Sequence, residues 1–109
     1  MPQALPPELI EQVAERFRVL GDATRLRMLR VLIDDGPLTV GDLVDHIGCS
    51  QPNVSKHLKV LADAGVVHRR TEGTSHFYSV TDPSLLSLCE LVCGRLRTQA
   101  ADDARAFAS

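Results

Sequence analysis

The stretch Gly48-Cys49-Ser50-Gln51-Pro52-Asn53-Val54-Ser55-Lys56-His57-Leu58-Lys59 decides the fold. A glycine stop precedes a serine able to cap a helix, and a proline follows in a first turn whose N–H groups are free in any case. Val54, Leu58 and Leu61 then recur at the spacing of one helix face, and Gly65 ends the pattern. The outward set is Gln51, Asn53, Ser55, Lys56, His57 and Lys59. Gln51, Asn53 and Ser55 sit in the first turns, where contacts to base edges are expected, and Lys56 and Lys59 suit phosphates. Taken singly, each of these residues reads equally well as part of a solvated polar face.

Upstream, Thr39 caps a short helix carrying Val40, Leu43, Val44 and Ile47. Asp42 stands at its third position, which approximates a capping box, and Gly48 closes it. Two short helices joined by Gly48-Cys49-Ser50 make a helix-turn-helix candidate, in which the first helix braces and the second enters the major groove. Further upstream, Leu9, Ile10, Val13, Phe17 and Leu20 trace a helix from Pro7 to Gly21. Asp22 caps another, with Leu26, Leu29, Leu32 and Ile33 apolar, and Asp34-Asp35-Gly36-Pro37 breaks it.

Downstream the period changes to that of strands. Residues 66–71 read as one strand, 72–75 as a turn and 76–80 as a second strand. Phe77 and Tyr78 face opposite sides, so one packs inward. Arg69 and Arg70 precede the tip, while Thr74, Ser75 and His76 lie at or after it. Such a wing reaches along a DNA backbone or into the minor groove. A lone hairpin is marginal in water, so it must pack on the helices. Asp82-Pro83 then opens a last helix, with Leu85, Leu88, Cys89, Val92 and Leu96 on one stripe, running to about residue 104. The pattern predicts a mainly α fold of about five helices with a small β-hairpin wing, a winged helix-turn-helix. It spans residues 8–104, between a flexible proline-containing arm at 1–7 and a tail at 105–109.

Composition agrees with this reading. The 109 residues suit one domain, and aromatics at 4% with no Trp require an aliphatic core. The net charge of −2 argues weakly against nucleic acid, yet Lys56, Lys59, Arg69 and Arg70 face only Asp63 within residues 50–70. A basic docking face on a mildly acidic protein suits DNA, because only that face meets phosphates. No apolar run approaches the ~20 residues of a membrane span, and the N-terminus lacks the plan of a secretory signal. A cytoplasmic protein with no membrane partner is expected. Three cysteines, Cys49, Cys89 and Cys93, are an odd count that argues against a disulfide framework. Glycine-rich phosphate loops and a Gly-x-Ser-x-Gly motif are absent, so an enzyme is not predicted.

Several runs resemble the ArsR/SmtB family of winged-helix repressors. Leu20-Gly21-Asp22-Ala23-Thr24-Arg25-Leu26-Arg27 resembles its opening signature, and Ser50 to Leu58 its recognition helix. Ala64-Gly65-Val66-Val67, Arg69-Arg70-Thr71-Glu72-Gly73 and Tyr78-Ser79-Val80 resemble its wing. The resemblance covers roughly residues 14–96. It implies a homodimer joined through the first and last helices, which represses by occupying an inverted-repeat operator in double-stranded DNA. It also implies release by an inducer, most often a metal or metalloid ion and sometimes a reactive sulfur species or oxidant.

The chain departs from two familiar sensing sites of that family. Where a Cys-x-Cys pair marks the thiolate site near the third helix, this chain has Thr39 and Gly41. Where Asp and His ligands mark the site on the last helix, only Asp82 matches, and Ser84, Arg95 and Thr98 occupy the other positions. Cys89 and Cys93 remain, four apart and so on one helix face. Their thiolates select As(III), Cd(II), Pb(II), Hg(II) or Cu(I), with Zn(II) also open. Two thiolates leave a site incomplete, and the missing ligand comes from the partner chain or from Cys49 as a candidate third thiolate. A disulfide between Cys89 and Cys93 fits poorly, because residues four apart hold Cβ atoms ~5–6 Å apart where a disulfide wants ~3.5–4.5 Å. Plain packing is the other reading of all three cysteines, since Cys is a common small buried hydrophobe. A redox- or sulfur-responsive repressor and a protein-interaction module of the same fold stay open as alternatives. His46, His57, His68 and His76 form no spaced ligand pair on one element.

Overall fold

A computed structural model describes residues 5–108. After a turn of 3-10 helix at Pro7–Leu9, the chain forms α1 (Ile10–Leu20), α2 (Ala23–Asp35), α3 (Val40–Ile47), α4 (Gln51–Asp63), β1 (Val67–Glu72), β2 (Ser75–Val80) and α5 (Ser84–Ala108). This is the mainly α fold with a β-hairpin wing that the sequence predicts. The arm assigned to residues 1–7 falls outside the described residues in its first four positions. The segment assigned as a tail differs: α5 continues through it to Ala108. Nothing at Ala104 breaks a helix, and alanines around it favour one.

The helix starts follow local chemistry. The Asp22 side chain accepts the Arg25 N–H at 3.0 Å. Thr39 Oγ1 accepts from Asp42 N at 3.1 Å while Asp42 Oδ2 accepts from Thr39 N at 3.0 Å, so the capping box is complete. Ser50 Oγ accepts from Asn53 N at 3.3 Å and starts α4. Between α3 and α4 the chain reverses at Gly48, whose φ of 79° is left-handed backbone that glycine adopts without a Cβ clash. This turn fixes the angle at which α4 leaves α3.

The core is aliphatic. Met28, Leu29 and Leu32 of α2, Leu43 of α3 and Val54, Leu58 and Leu61 of α4 close around Val66 and Val67 at the base of the wing. Each buried Leu or Val contributes roughly 1.5–3 kcal/mol of hydrophobic stabilisation. The hairpin is antiparallel, with Val67 opposite Val80 and Glu72 opposite Ser75 across a Gly73-Thr74 turn. Leu38 adds a third, one-residue rung: its N–H donates to the Tyr78 carbonyl at 3.0 Å and its carbonyl accepts from Tyr78 N at 2.8 Å. Tyr78 is the inward aromatic and packs against the core. Phe77 lies on the other face beneath Arg70, whose guanidinium carbon is 5.5 Å from the ring centre.

Two predicted apolar stripes are not buried within the chain. In α1 only Val19 and Leu20 are buried, and Phe17 is 55% exposed. In α5 only Leu85 is buried, while Val92 and Leu96 are more than half exposed.

Candidate nucleic-acid interface and cysteine groove

α4 presents two faces of opposite character. Val54, Leu58 and Leu61 seal against the core, and Gln51, Asn53, Ser55, Lys56 and Lys59 are exposed. Capping by Ser50 holds the first turn of α4, which carries Gln51 and Asn53 into solvent. Lys59 is tethered to Asp63 one turn on, Nζ to Oδ2 at 3.0 Å. Lys56 makes no ion pair or side-chain hydrogen bond among the described residues.

His57 differs from the other members of the predicted set. It is half-buried at the flank of α4, and its Nδ1 is 3.4 Å from Nη1 of Arg25. Arg25 stands in the run that resembles the family's opening signature, with nothing in its neighbourhood along the chain to mark a role. In the structure Arg25 joins three elements: Nε donates to the Val19 carbonyl at 2.6 Å and Nη2 to the Arg18 carbonyl at 3.4 Å, both at the end of α1. It thereby satisfies the Val19 carbonyl near the C-terminus of α1 and joins the Gly21 N–H at the Arg18 carbonyl.

In the wing, strand alternation sends the two arginines to opposite faces. Arg69 stands across from Tyr78 and Arg70 across from Phe77. Arg69 is exposed and has no ion pair among the described residues, whereas Arg70 Nη2 is 3.1 Å from Glu72 Oε1. Thr71 Oγ1 and His76 Nδ1 meet at 3.0 Å across the strands, and Thr74 stands exposed at the tip.

Cys89 and Cys93 are exposed free thiols on α5. Both line an open groove of about 550 Å³ together with Phe17, Leu20, Leu26 and Leu88. Cys49 is elsewhere: half-buried at the α3–α4 turn and packed against the core. No group of three or more His, Cys, Asp or Glu that could hold a metal ion occurs among the described residues. Within one chain Cys49 is therefore not grouped with Cys89 and Cys93. His46 also has structural work, with Nδ1 2.8 Å from the Asp42 carbonyl and Nε2 3.6 Å from Asp35.

Asp82 begins α5. Its Oδ1 accepts from Ser84 N at 3.0 Å and Ser84 Oγ at 2.6 Å. Those Ser84 hydrogen bonds lead the causes that hold its carboxyl below the ordinary 3.8 of an aspartate, and the Arg16 charge adds to them. Among the described residues no helix is long and apolar enough to cross a membrane.

A helix-turn-helix with a capped polar second helix, followed directly by a basic hairpin, defines a winged helix-turn-helix DNA-binding protein. The family model described as "Bacterial regulatory protein, arsR family" matches residues 22–69. A Streptomyces lividans protein named "Probable mercury resistance operon repressor" is 42% identical over 97 residues, which cover 89% of this chain and 74% of the relative. The crystal structure of Rv0081 from M. tuberculosis is similar at a TM-score of 0.78 and 31% identity, over 91% of this chain and 98% of that one. A Mycobacterium bovis domain described as homodimeric and winged helix-turn-helix, a possible ArsR-family regulator, matches at a TM-score of 0.73 and 26% identity, over 89% of each chain. This chain belongs to the ArsR family: it is a DNA-binding transcriptional repressor of that family and not an enzyme.

Proposed function

We propose that this repressor binds its operator as a homodimer and leaves it when a thiophilic metal or metalloid ion binds Cys89 and Cys93. The observation that carries the reading is the placement of both thiols, exposed and one turn apart, in the apolar groove between α1 and α5. Exposed Phe17, Leu26, Val92 and Leu96 form an apolar surface that a second copy would cover. The M. bovis relative is described as homodimeric, which supports the same assembly. Two-fold symmetry brings two further thiolates to the same surface, and these complete the donor set that one chain lacks. Soft thiolates favour As(III), Cd(II), Pb(II), Hg(II) or Cu(I), and accept Zn(II). The S. lividans relative is named for mercury resistance, which supports a thiophilic ion.

On the DNA, Gln51, Asn53 and Ser55 read bases from the first turns of α4, while Lys56, Lys59, Arg69 and Arg70 meet phosphates. Thr74 and His76 carry the wing tip to the backbone or minor groove. His57 acts from the flank, held by Arg25.

The test is a titration of reduced protein with each ion, following thiolate absorption and operator release together. Release that tracks a saturating thiolate band supports the reading. Release only by peroxide or polysulfide assigns the same cysteines to redox sensing. Retention of the operator under all of these conditions overturns the sensor.

A further inference from the structure

α5 has little apolar hold on the rest of its own chain, since Leu85 is its one buried residue and residues 89–108 are exposed. Its polar attachment is correspondingly informative. The Asp82 carboxylate divides its oxygens: Oδ1 starts α5 through Ser84, while Oδ2 lies 3.6 Å from Nη1 of Arg16 on α1. The other arm of the same guanidinium, Nη2, donates to the Ala64 carbonyl at 3.0 Å. Ala64 is the C-cap of the recognition helix. One planar group thus touches the first residues of the cysteine-bearing helix and the last carbonyl of the DNA-reading helix.

We propose that Arg16 is a positioning residue, a strap through which the start of α5 sets the C-terminal end of α4. The physical reason lies in the guanidinium. It is rigid and planar, so movement of the carboxylate at one edge reorients the N–H groups at the other. A carbonyl at a helix C-terminus carries partial negative charge, and a cation there is favourable only while it stays aligned. A tilt of α5 at its N-terminal end draws on Asp82, turns Arg16 and loosens its hold on Ala64. α4 is then free to adjust against its other restraints, the core face and Arg25 at His57. This inference rests on the sensing reading for its purpose, but the strap itself is open to test without an inducer.

The experiment compares wild type, Asp82→Asn, Arg16→Gln and the double variant. Asparagine still caps α5 through Oδ1 and turns a neutral amide donor, with neither charge nor acceptor, toward Arg16. NMR of the ion-free protein follows the Ala64 carbonyl and the Gly65 and Val66 amides. Asp82→Asn is expected to shift all three in the presence of Arg16 and to leave them unmoved in the Arg16→Gln background. Equal shifts in both backgrounds overturn the strap. Operator affinity is then measured with and without Hg(II). A wild-type release factor within the usual range of about 5–150-fold should fall to within about twofold of unity in Arg16→Gln. A release factor equal to that of the wild type overturns the role of Arg16 in coupling. Wild type that keeps its operator in Hg(II) counts against the sensing reading, while the resonance comparison still decides the strap.

Discussion

Nη1 of Arg25 lies 3.4 Å from Nδ1 of His57, so the start of α2 touches the flank of the recognition helix. A guanidinium has only donors, so Nδ1 must accept and the ring proton resides on Nε2. Arg25 therefore orients His57 as well as closing α1 through the carbonyls of Val19 and Arg18. Arg25→Met should cost about 1.5–3 kcal/mol, the worth of charged hydrogen bonds. A lower urea midpoint with an unchanged slope is the expected result, and an unchanged midpoint would contradict it. Nitrogen-15 NMR should find the Nε2–H tautomer at His57 in wild type.

The two wing arginines should behave differently on DNA. Arg69→Ala should weaken binding to specific and random duplexes alike and reduce the salt slope by about one phosphate contact. Arg70 is already engaged by Glu72 at 3.1 Å, so Arg70→Ala should lose less. Glu72→Gln should tighten binding by freeing Arg70. Gln51→Ala and Ser55→Ala should instead change preference among operator variants, by about 1–3 kcal/mol at the affected base pair. Fluorescence anisotropy across a salt series separates these outcomes. Equal losses on all sequences for the four alanine variants would refute the sorting.

Acid should lower the stability of the fold at its helix starts. Backbone N–H groups of Arg25 and Thr39 hold Asp22 and Asp42 below the ordinary 3.8, and the Ser84 hydroxyl, followed by the Ser84 N–H, does the same for Asp82. A carboxyl whose folded value is depressed contributes stability that is complete above its unfolded value and is lost as pH falls through the folded one. Urea midpoints should therefore be flat above about pH 5 and decline below about pH 4. Asp42→Asn should shallow that decline. A decline as steep as in wild type would show that this cap carries none of it.

Leu61 is fully buried on the inner face of α4. Leu61→Ala should destabilise by about 2–5 kcal/mol, through lost transfer energy and the cavity left behind. Calorimetry at one fixed protein concentration measures this.

Cys89→Ser and Cys93→Ser should each keep operator affinity within about twofold, because the thiols lie on α5 and away from the polar face of α4, where base contacts are made. Both should abolish release by ions that release wild type. Release that persists in either variant places the sensor at other residues. Cys49→Ser should leave release intact, since Cys49 packs against the core at the α3–α4 turn.

The helix starts were legible because each depends on residues within three positions of one another. Asp22, the Thr39–Asp42 box and Ser50 all cap as their spacing predicts. The wing was legible because period-two residues flank a glycine turn. Boundaries shifted by only one residue in each strand, and the last helix ran four residues past its predicted end. Arg16 and Arg25 gave no local signal, because their partners stand 48 and 32 residues away at Ala64 and His57. Leu38 likewise meets Tyr78 only once the chain has folded back.

By itself the sequence determined the order of elements, the capped polar recognition helix and the pairing of two thiols on one helix face. These follow from periodicity and from short-range hydrogen bonds. Only the tertiary structure decided which apolar stripes are buried, since periodicity marks a face without naming what covers it. The α4 stripe became core together with Leu29 and Leu32 of α2, while Leu26, Phe17, Val92 and Leu96 stayed open beside Cys89 and Cys93. It also separated Arg69 from Arg70, turned His57 toward Arg25 and moved Cys49 away from the other thiols. Each of these is a long-range placement set by packing across elements, which spacing along the chain does not encode.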